Sequence, residues 1–286
     1  MEFALAFAMQ EIPLVLFTAL APSGTVCMVI LMVMLLTHHF EMERCPRLNQ
    51  VTWVPLAVTT VGLVAAAASL GTPANALYVV MGVGRSPLSN EVACAVVFLA
   101  TCGVNWLLSF AQRESLPVKR AFAVAIIGLG VVFLASIAGA YSVETIATWS
   151  GPLVPANLIL SGLVGGALLA RATILLALDG GYAPELLGRL SWCAAVALVA
   201  SVACLALQWF QQAGMSNAYG TLASHVPVYP LLVAAYTLMV AAAIGLTLRF
   251  SGRRWPEVAA IALAFGGLLV LRFGFYLIHM TPGLAM

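Results

Sequence analysis

The chain has 286 residues, of which 63% are hydrophobic and only 8% are charged. Soluble domains carry about 25% charged residues, so this composition excludes a soluble globular protein and indicates an integral membrane protein. The net charge of +2 argues against nucleic acid or another polyanion as a partner, and it leaves the basic residues a topological role in the lipid bilayer.

Apolar runs long enough to cross a bilayer, which takes about 20 helical residues, recur along the whole chain. No polar linker between them is long enough for a soluble domain. Residues 1–286 are therefore predicted to form a single polytopic, all-α membrane domain, and its helices suit an arrangement as two four-helix bundles. The eight predicted transmembrane helices cover residues 14–37, 52–69, 91–111, 120–140, 153–177, 187–210, 228–249 and 257–279.

Two of these runs carry residues that shape a helix. The first contains Ala-Pro-Ser-Gly at 21–24, which predicts a kink or a local opening of that helix. The fifth contains Gly162, Gly165 and Gly166, and small residues of this kind allow neighbouring helices to approach closely.

Basic residues predict the orientation in the membrane. Ten of the twelve Lys and Arg lie in or beside the connections after the first, third, fifth and seventh runs, and the exceptions are Arg85 and Arg272. By the positive-inside rule these connections are cytoplasmic and both termini lie on the periplasmic side. The ten residues are Arg44, Arg47, Arg113, Lys119, Arg120, Arg171, Arg189, Arg249, Arg253 and Arg254.

The stretch from Ser69 to Glu91 then faces the outer side. Its glycines and prolines stop a helix from continuing through it. Its last residues lie against the next apolar run, near the depth at which lipid headgroups end, where ionisable groups are costly and usually functional. We predict that this loop holds a polar headgroup, with contacts from Ser69, Arg85, Ser89, Asn90 and Glu91.

Further polar groups on the outer side belong to the last run. Arg272, Tyr276 and His279 are four and three residues apart, so they share one face of a helix. Together with Glu91 they are predicted to converge on one pocket. The alternatives are that Arg272 snorkels or pairs structurally with Glu91, and that Tyr276 belongs to an interfacial aromatic belt, as Trp149 would.

The chemistry of such a pocket is narrowed by what the sequence lacks. The six cysteines show no Cys-x-x-Cys spacing, and the four histidines lie at span ends on both faces, so neither a metal site nor paired haem ligation is predicted. A quinol fits better, because its oxidation releases two protons with the electrons and therefore requires a nearby carboxylate or imidazole. Glu91 is the predicted proton acceptor and His279 a possible second one.

Several motifs resemble the membrane-anchor subunit of the dimethyl sulfoxide reductase family, and the similarity extends along nearly the whole chain. The most specific are Leu70-Gly71-Thr72-Pro73 and Gly84-Arg85-Ser86-Pro87-Leu88-Ser89-Asn90-Glu91. Supporting similarities lie at residues 11–18, at Thr148-Trp149 and at residues 275–281.

The resemblance implies a multi-pass anchor of the bacterial inner membrane, without a redox cofactor of its own and not itself the terminal reductase. It would hold a four-cluster iron–sulfur subunit and a molybdopterin catalytic subunit, draw menaquinol from the menaquinone pool as an exchangeable substrate, and pass electrons on in anaerobic respiration. Glu91 matches the acid of the family's quinol site. The family usually has a histidine where this chain has Ser69.

That serine keeps alternatives open. Serine takes up no proton at physiological pH, so either Glu91 or His279 does this work, or the site prefers a different quinone, or quinol oxidation is weak. The other classes considered are a structural anchor without quinol chemistry and a small-molecule transporter.

Overall fold

The computed structural model describes residues 2–37, 46–69, 79, 81–110, 115–178, 184–217 and 220–280. Within these ranges eight helices are long and apolar enough to cross a membrane. This confirms the predicted all-helical class and the predicted number of spans. A short antiparallel pair of strands, in which Ser216 faces Thr221, is the β-structure in the described part.

The helices before residue 145 contain the first half of the spans. They are α1 (Glu2–Gln10), α2 (Ile12–Leu36), α3 (Pro46–Gln50), α4 (Trp53–Ala68), α5 (Pro87–Leu108) and α6 (Leu116–Ala140). The span predicted at 52–69 is α4, extended by the short α3 into one apolar stretch, Arg47–Ala68.

The second half begins with a 3₁₀ turn at Ala147–Trp149 and contains the remaining spans. Its elements are α7 (Leu153–Ala177), α8 (Pro184–Gln212), β1 (Ser216–Asn217), β2 (Gly220–Thr221), α9 (Leu222–His225), α10 (Tyr229–Arg249) and α11 (Arg254–Leu277).

Helices α2 and α7 form the interior of the protein. α2 packs against α4, α6, α7 and α11, and α7 packs in addition against α8 and α11. Both are largely buried, whereas α4, α5 and α10 expose most of their length. A helix that is apolar on every side is typical of such a central position, and the exposed apolar side chains of the outer helices suit contact with lipid.

The glycines of α7 allow it to lie directly on α2. Gly162 is next to Pro22, Gly165 is next to Ser23, and a Cβ atom at Gly166 would overlap the side chain of Val26. The predicted close approach at these small residues is therefore confirmed, and the partner helix is α2.

The opening predicted at residues 21–24 is wrong, because α2 continues without interruption from Ile12 to Leu36. The hydroxyl of Ser23 donates to the Ala19 carbonyl at 2.7 Å, and that of Thr25 donates to the Ala21 carbonyl at 2.8 Å. Such hydroxyls and a close neighbouring helix let a transmembrane helix accommodate proline.

The two ends of the helix assembly differ in their buried polar groups. We name them the Glu91 end, where α5 begins and α11 ends, and the Arg171 end, where α7 ends and α11 begins. The count of basic residues treats Arg171 as a loop-flanking charge, but its side chain is fully buried. It pairs with Glu257 at 2.7 Å and donates to the carbonyls of Leu187 at 2.6 Å and Thr247 at 3.0 Å. Arg171 thus joins four elements and is a structural cation.

Candidate functional site

The polar segment before α5 is an ordered turn. Gly84 has a φ of +83°, a backbone conformation that only glycine adopts without strain. Its N–H donates to Asn90 Oδ1 at 2.6 Å, and the Ser86 N–H donates to the Gly82 carbonyl at 2.9 Å. Asn90 therefore fastens the turn to the first turn of α5. Its predicted contact with a headgroup stays a prediction.

Glu91 lies one residue further along and is inside the protein. Its side chain is 1% exposed, and neither carboxylate oxygen has a hydrogen-bond partner among the described residues. An ion pair between Glu91 and Arg272, one of the alternatives from the sequence, is therefore not formed. A buried acid without a partner is costly and marks a position at which a ligand group or a water molecule can complete the hydrogen bonding.

Tyr141, which follows the last residue of α6, is the neighbour of Glu91 that the sequence did not predict. Burial, followed by the proximity of Tyr276 and Glu91, raises the pKa of Tyr141 well above its ordinary value, so the phenol remains a proton-bearing donor. The sequence signal that could have found it is a tyrosine at the outer end of a span, the same position that Tyr276 occupies in α11.

Tyr276 is 1% exposed and lies close to the hydroxyls of Tyr141 and Thr18. Its own hydroxyl forms no hydrogen bond of ordinary geometry within the described residues. Glu91 from α5, Tyr141 from α6 and Tyr276 from α11 are thus brought together, which agrees with the predicted convergence of Glu91 and Tyr276. The group has hydrogen-bonding capacity that the protein does not use.

Arg272 is also buried, but it points towards α7. Its Nη2 contacts the Ser161 hydroxyl and the Leu158 carbonyl at 3.4 Å, while Nε has no partner within the described residues. The adjacent cavity, lined in part by Asn157 and Gln208, measures about 10 Å³. This is space for one water molecule, not for a quinol ring, so the structure separates Arg272 from direct contact with Glu91.

His279 belongs to an aromatic cluster at the same end. Its ring stacks on Phe7 at 4.3 Å and meets Trp149 edge-on at 5.2 Å. Trp149 stacks on Phe275 at 4.7 Å and donates its indole N–H to the Phe275 carbonyl at 3.1 Å. Partial burial lowers the pKa of His279, which favours the neutral imidazole, a proton acceptor.

The other predicted contact residues occupy two kinds of position. Ser89 is buried and packs against Gly82. Ser69 and Arg85 are exposed, and the Ser69 hydroxyl donates back to the Ala66 carbonyl of its own helix at 2.6 Å. The motif Leu70–Pro73 lies outside the described residues.

Glu11 adds a second acid at this end. It precedes α2, and partial burial raises its pKa. Its charge acts on both Tyr141 and Tyr276, so it lies on the same side of the protein as the group around Glu91. An apolar groove of about 310 Å³ opens next to it, between α2, α10 and α11, and is lined by residues that include Ile12, Leu232 and Phe273.

Comparison with known proteins points to one family. The sequence model described as "DMSO reductase anchor subunit (DmsC)" matches residues 6–276. The protein is similar, at 29% identity over 284 residues, to the C subunit of anaerobic dimethyl sulfoxide reductase from Escherichia coli, and the match covers 97% of this sequence and 98% of that protein.

Two further relatives have similar lengths. Identity is 27% over 287 residues to the YnfH subunit of anaerobic dimethyl sulfoxide reductase from Escherichia coli, covering 97% of this sequence and 98% of the relative. It is 26% over 280 residues to the C subunit of anaerobic dimethyl sulfoxide reductase from Haemophilus influenzae, again covering 97% and 98%.

Proposed function

The chain belongs to the DMSO reductase anchor subunit (DmsC) family, and on this premise we propose that it oxidises menaquinol near the periplasmic face of the bacterial inner membrane. The electrons pass to an iron–sulfur subunit that feeds a molybdopterin reductase. The observation that carries this proposal is the buried carboxylate of Glu91, which has no partner among the described residues and lies beside Tyr141.

The proposed chemistry uses this acid as a proton acceptor. Oxidation of a quinol to a quinone releases two electrons and two protons. One quinol O–H donates to the Glu91 carboxylate, and the phenols of Tyr141 and Tyr276 orient the ring oxygens as hydrogen-bond donors. Removal of the proton by a positioned base contributes about 10²–10⁴-fold in rate. The isoprenoid tail of the quinol has apolar surface available in the groove lined by Ile12 and Phe273.

The second proton requires another acceptor. The neutral imidazole of His279 suits this role, because burial lowers its pKa. Ser69, at the position of the family's histidine, takes up no proton, and its hydroxyl is already bonded to Ala66. In this proposal Arg85, Ser89 and Asn90 shape the entrance, while Arg272 supports Tyr276 from behind.

We further propose the topology that this function requires. The contacts support two groups of four spans, α2 with α4, α5 and α6, and α7 with α8, α10 and α11, which meet where α2 lies on α7. With Arg171 set aside as a buried ion pair, nine of the ten basic residues still favour a cytoplasmic Arg171 end. Both termini and the Glu91 end are then periplasmic.

The partners follow from the family. We propose that the protein holds a four-cluster iron–sulfur subunit and a molybdopterin catalytic subunit on the membrane, and that it carries no metal or redox cofactor of its own. Menaquinol is an exchangeable substrate from the pool. The choice of terminal acceptor, whether an S-oxide, an N-oxide or another oxidant, belongs to the catalytic subunit.

The test compares two electron donors to the assembled complex in membrane vesicles. A menaquinol analogue must pass its electrons through the anchor, whereas a water-soluble reduced dye supplies the catalytic subunits directly. We expect Glu91→Gln, which keeps the size of the side chain, to lower the quinol-driven rate at least 100-fold and to leave the dye-driven rate unchanged. The matched control is Glu144→Gln, which alters an exposed acid at the same end.

Each outcome has a distinct meaning. A normal quinol-driven rate in Glu91→Gln contradicts the role of Glu91. Absence of quinol-driven turnover in the unaltered complex, with the dye-driven rate intact, indicates a structural anchor in which Ser69 marks a lost site. Recovery of the protein without soluble partners would contradict the anchor function and favour the transporter.

A further inference from the structure

A second groove opens at the Arg171 end, away from the proposed quinol site. It has a volume of about 330 Å³ and lies between α4, α7 and α11. Its walls are aliphatic, and Val258 and Leu176 are 71% and 53% exposed. Ligand pockets of proteins measure about 300–1,000 Å³, so this groove accommodates a segment of one flexible apolar chain. The apolar lining consists of Val54, Leu169, Ala172, Leu175, Leu176, Val258 and Ile261.

The charge at the mouth of the groove is positive. Arg254 lines the groove, and Arg253 precedes it on the exposed connection to α11. Glu257 also lines the groove, but its charge is compensated by Arg171 at 2.7 Å. An arginine has five N–H donors, so Arg254 can contact a phosphate and keep its other contacts.

The depth of this mouth corresponds to the membrane–water interface. Arg254 is the first residue of the last span. The adjacent Trp255 is 61% exposed, and exposed tryptophans are enriched at the level of lipid headgroups. The groove therefore places a cation at headgroup depth and apolar walls below it.

From this arrangement we propose that the groove is a binding site for one anionic phospholipid. The phosphate of the headgroup contacts Arg254, and one acyl chain lies along the wall formed by α7 and α11. Basic pockets between helices on the cytoplasmic side are typical positions for anionic lipids. The site is separate from Glu91 and independent of quinol chemistry.

The charge distinguishes this occupant from the others that a membrane offers. A quinone has a neutral headgroup and gains nothing from an arginine at the mouth. A zwitterionic lipid carries a cation that Arg254 and Arg253 repel. A second copy of the protein would present a helix, and the groove has the volume of a single acyl segment.

The experiment measures lipid retention by the full-length protein in detergent, using native mass spectrometry. Phosphatidylglycerol or phosphatidylcholine with identical acyl chains is added at matched low concentrations. We expect phosphatidylglycerol to be retained about fivefold more, the effect of one arginine near an anionic headgroup. Arg254→Gln should remove this preference, and Arg189→Gln, which alters an exposed arginine outside the groove, should keep it.

A second variant tests the apolar part of the site. Leu176→Trp fills the groove from its wall and should lower retention of both lipids without altering the surface charge. Equal retention of the two lipids by the unaltered protein would overturn the proposal. So would equal effects of Arg254→Gln and Arg189→Gln, or displacement of the bound lipid by a quinone at the same concentration.

Discussion

Arg171 and Glu257 form an ion pair 2.7 Å long whose side chains are 0% and 6% exposed. The guanidinium also contacts the Leu187 carbonyl at 2.6 Å and the Ser191 hydroxyl at 3.2 Å. One cation thereby connects α7, α8, α10 and α11 at the Arg171 end. Its donors find partners in four separate segments, which explains how a charge is tolerated inside a membrane protein.

Breaking this pair should destabilise the second half of the protein. Glu257→Gln removes the compensating charge and leaves the buried guanidinium, and loss of one partner of a buried pair costs about 3–5 kcal/mol. We expect a clearly lowered midpoint of thermal unfolding in detergent. Glu185→Gln, which removes the exposed partner of Arg189 at 3.9 Å, should leave the midpoint unchanged. Equal midpoints for the two variants would contradict the structural role of Arg171.

The contact between α2 and α7 gives a second prediction. Gly166→Ala places a Cβ atom against Val26, and overpacking of this kind costs about 1–3 kcal/mol. Gly128→Ala in α6 is the matched control, because open space surrounds that glycine. The control should be neutral or stabilising, since alanine favours a helix over glycine by about 1 kcal/mol. Unfolding of both variants in the same detergent compares them directly.

The phenol beside Glu91 should matter for turnover. Tyr141→Phe removes only the hydroxyl and keeps the ring that faces Phe17. A hydrogen bond to a charged group is worth about 1.5–3 kcal/mol, so we expect the quinol-driven rate to fall about tenfold or more while the dye-driven rate persists. Tyr236→Phe, which removes a buried hydroxyl bonded to Ser201 at 3.2 Å, is the control. A rate in Tyr141→Phe that equals the control would remove Tyr141 from the site.

The imidazole of His279 predicts a pH dependence of stability. Burial lowers its pKa below the ordinary value of 6.5, so the unfolded protein binds a proton at a higher pH than the folded protein does. The free energy of unfolding should therefore decrease as the pH falls below about 6.5, until the folded imidazole is protonated as well.

His279→Phe isolates this effect, because phenylalanine can retain the stack on Phe7 and does not titrate. The variant should gain stability relative to the unaltered protein as the pH is lowered from about 7.5 to about 5.5, a range that spans the titration of the unfolded imidazole. Thermal unfolding at both pH values measures this difference. Parallel pH profiles for the two proteins would show that His279 does not contribute.

The spans were predictable because the signal is local. A run of about 20 apolar residues identifies a membrane helix whatever surrounds it, and the glycines and prolines between Ser69 and Glu91 mark a turn in the same way. The close approach at Gly166 was also predictable, since only a small residue permits it. The identity of the partner helix, α2, was not contained in the local sequence.

The orientation of polar side chains was harder to predict. In a helix that is apolar on all sides, no periodic pattern distinguishes the face that meets lipid from the face that meets protein. Arg272 and Tyr276 share a face of α11 by spacing, yet Arg272 contacts Ser161 of α7 and Tyr276 lies near Tyr141. Arg171 was misread for the same reason, because the positive-inside rule counts charges and does not see burial.

The central position of α2 has a consequence for how the sequence can vary. α2 touches four other spans, and its side chains are buried along most of its length, so nearly every substitution in it meets a packed neighbour. On α4 and α10 most side chains face lipid and are interchangeable with other apolar residues. A saturation mutagenesis scan should find a narrow intolerant stripe along α2 and the glycine face of α7, with a permissive periphery around it.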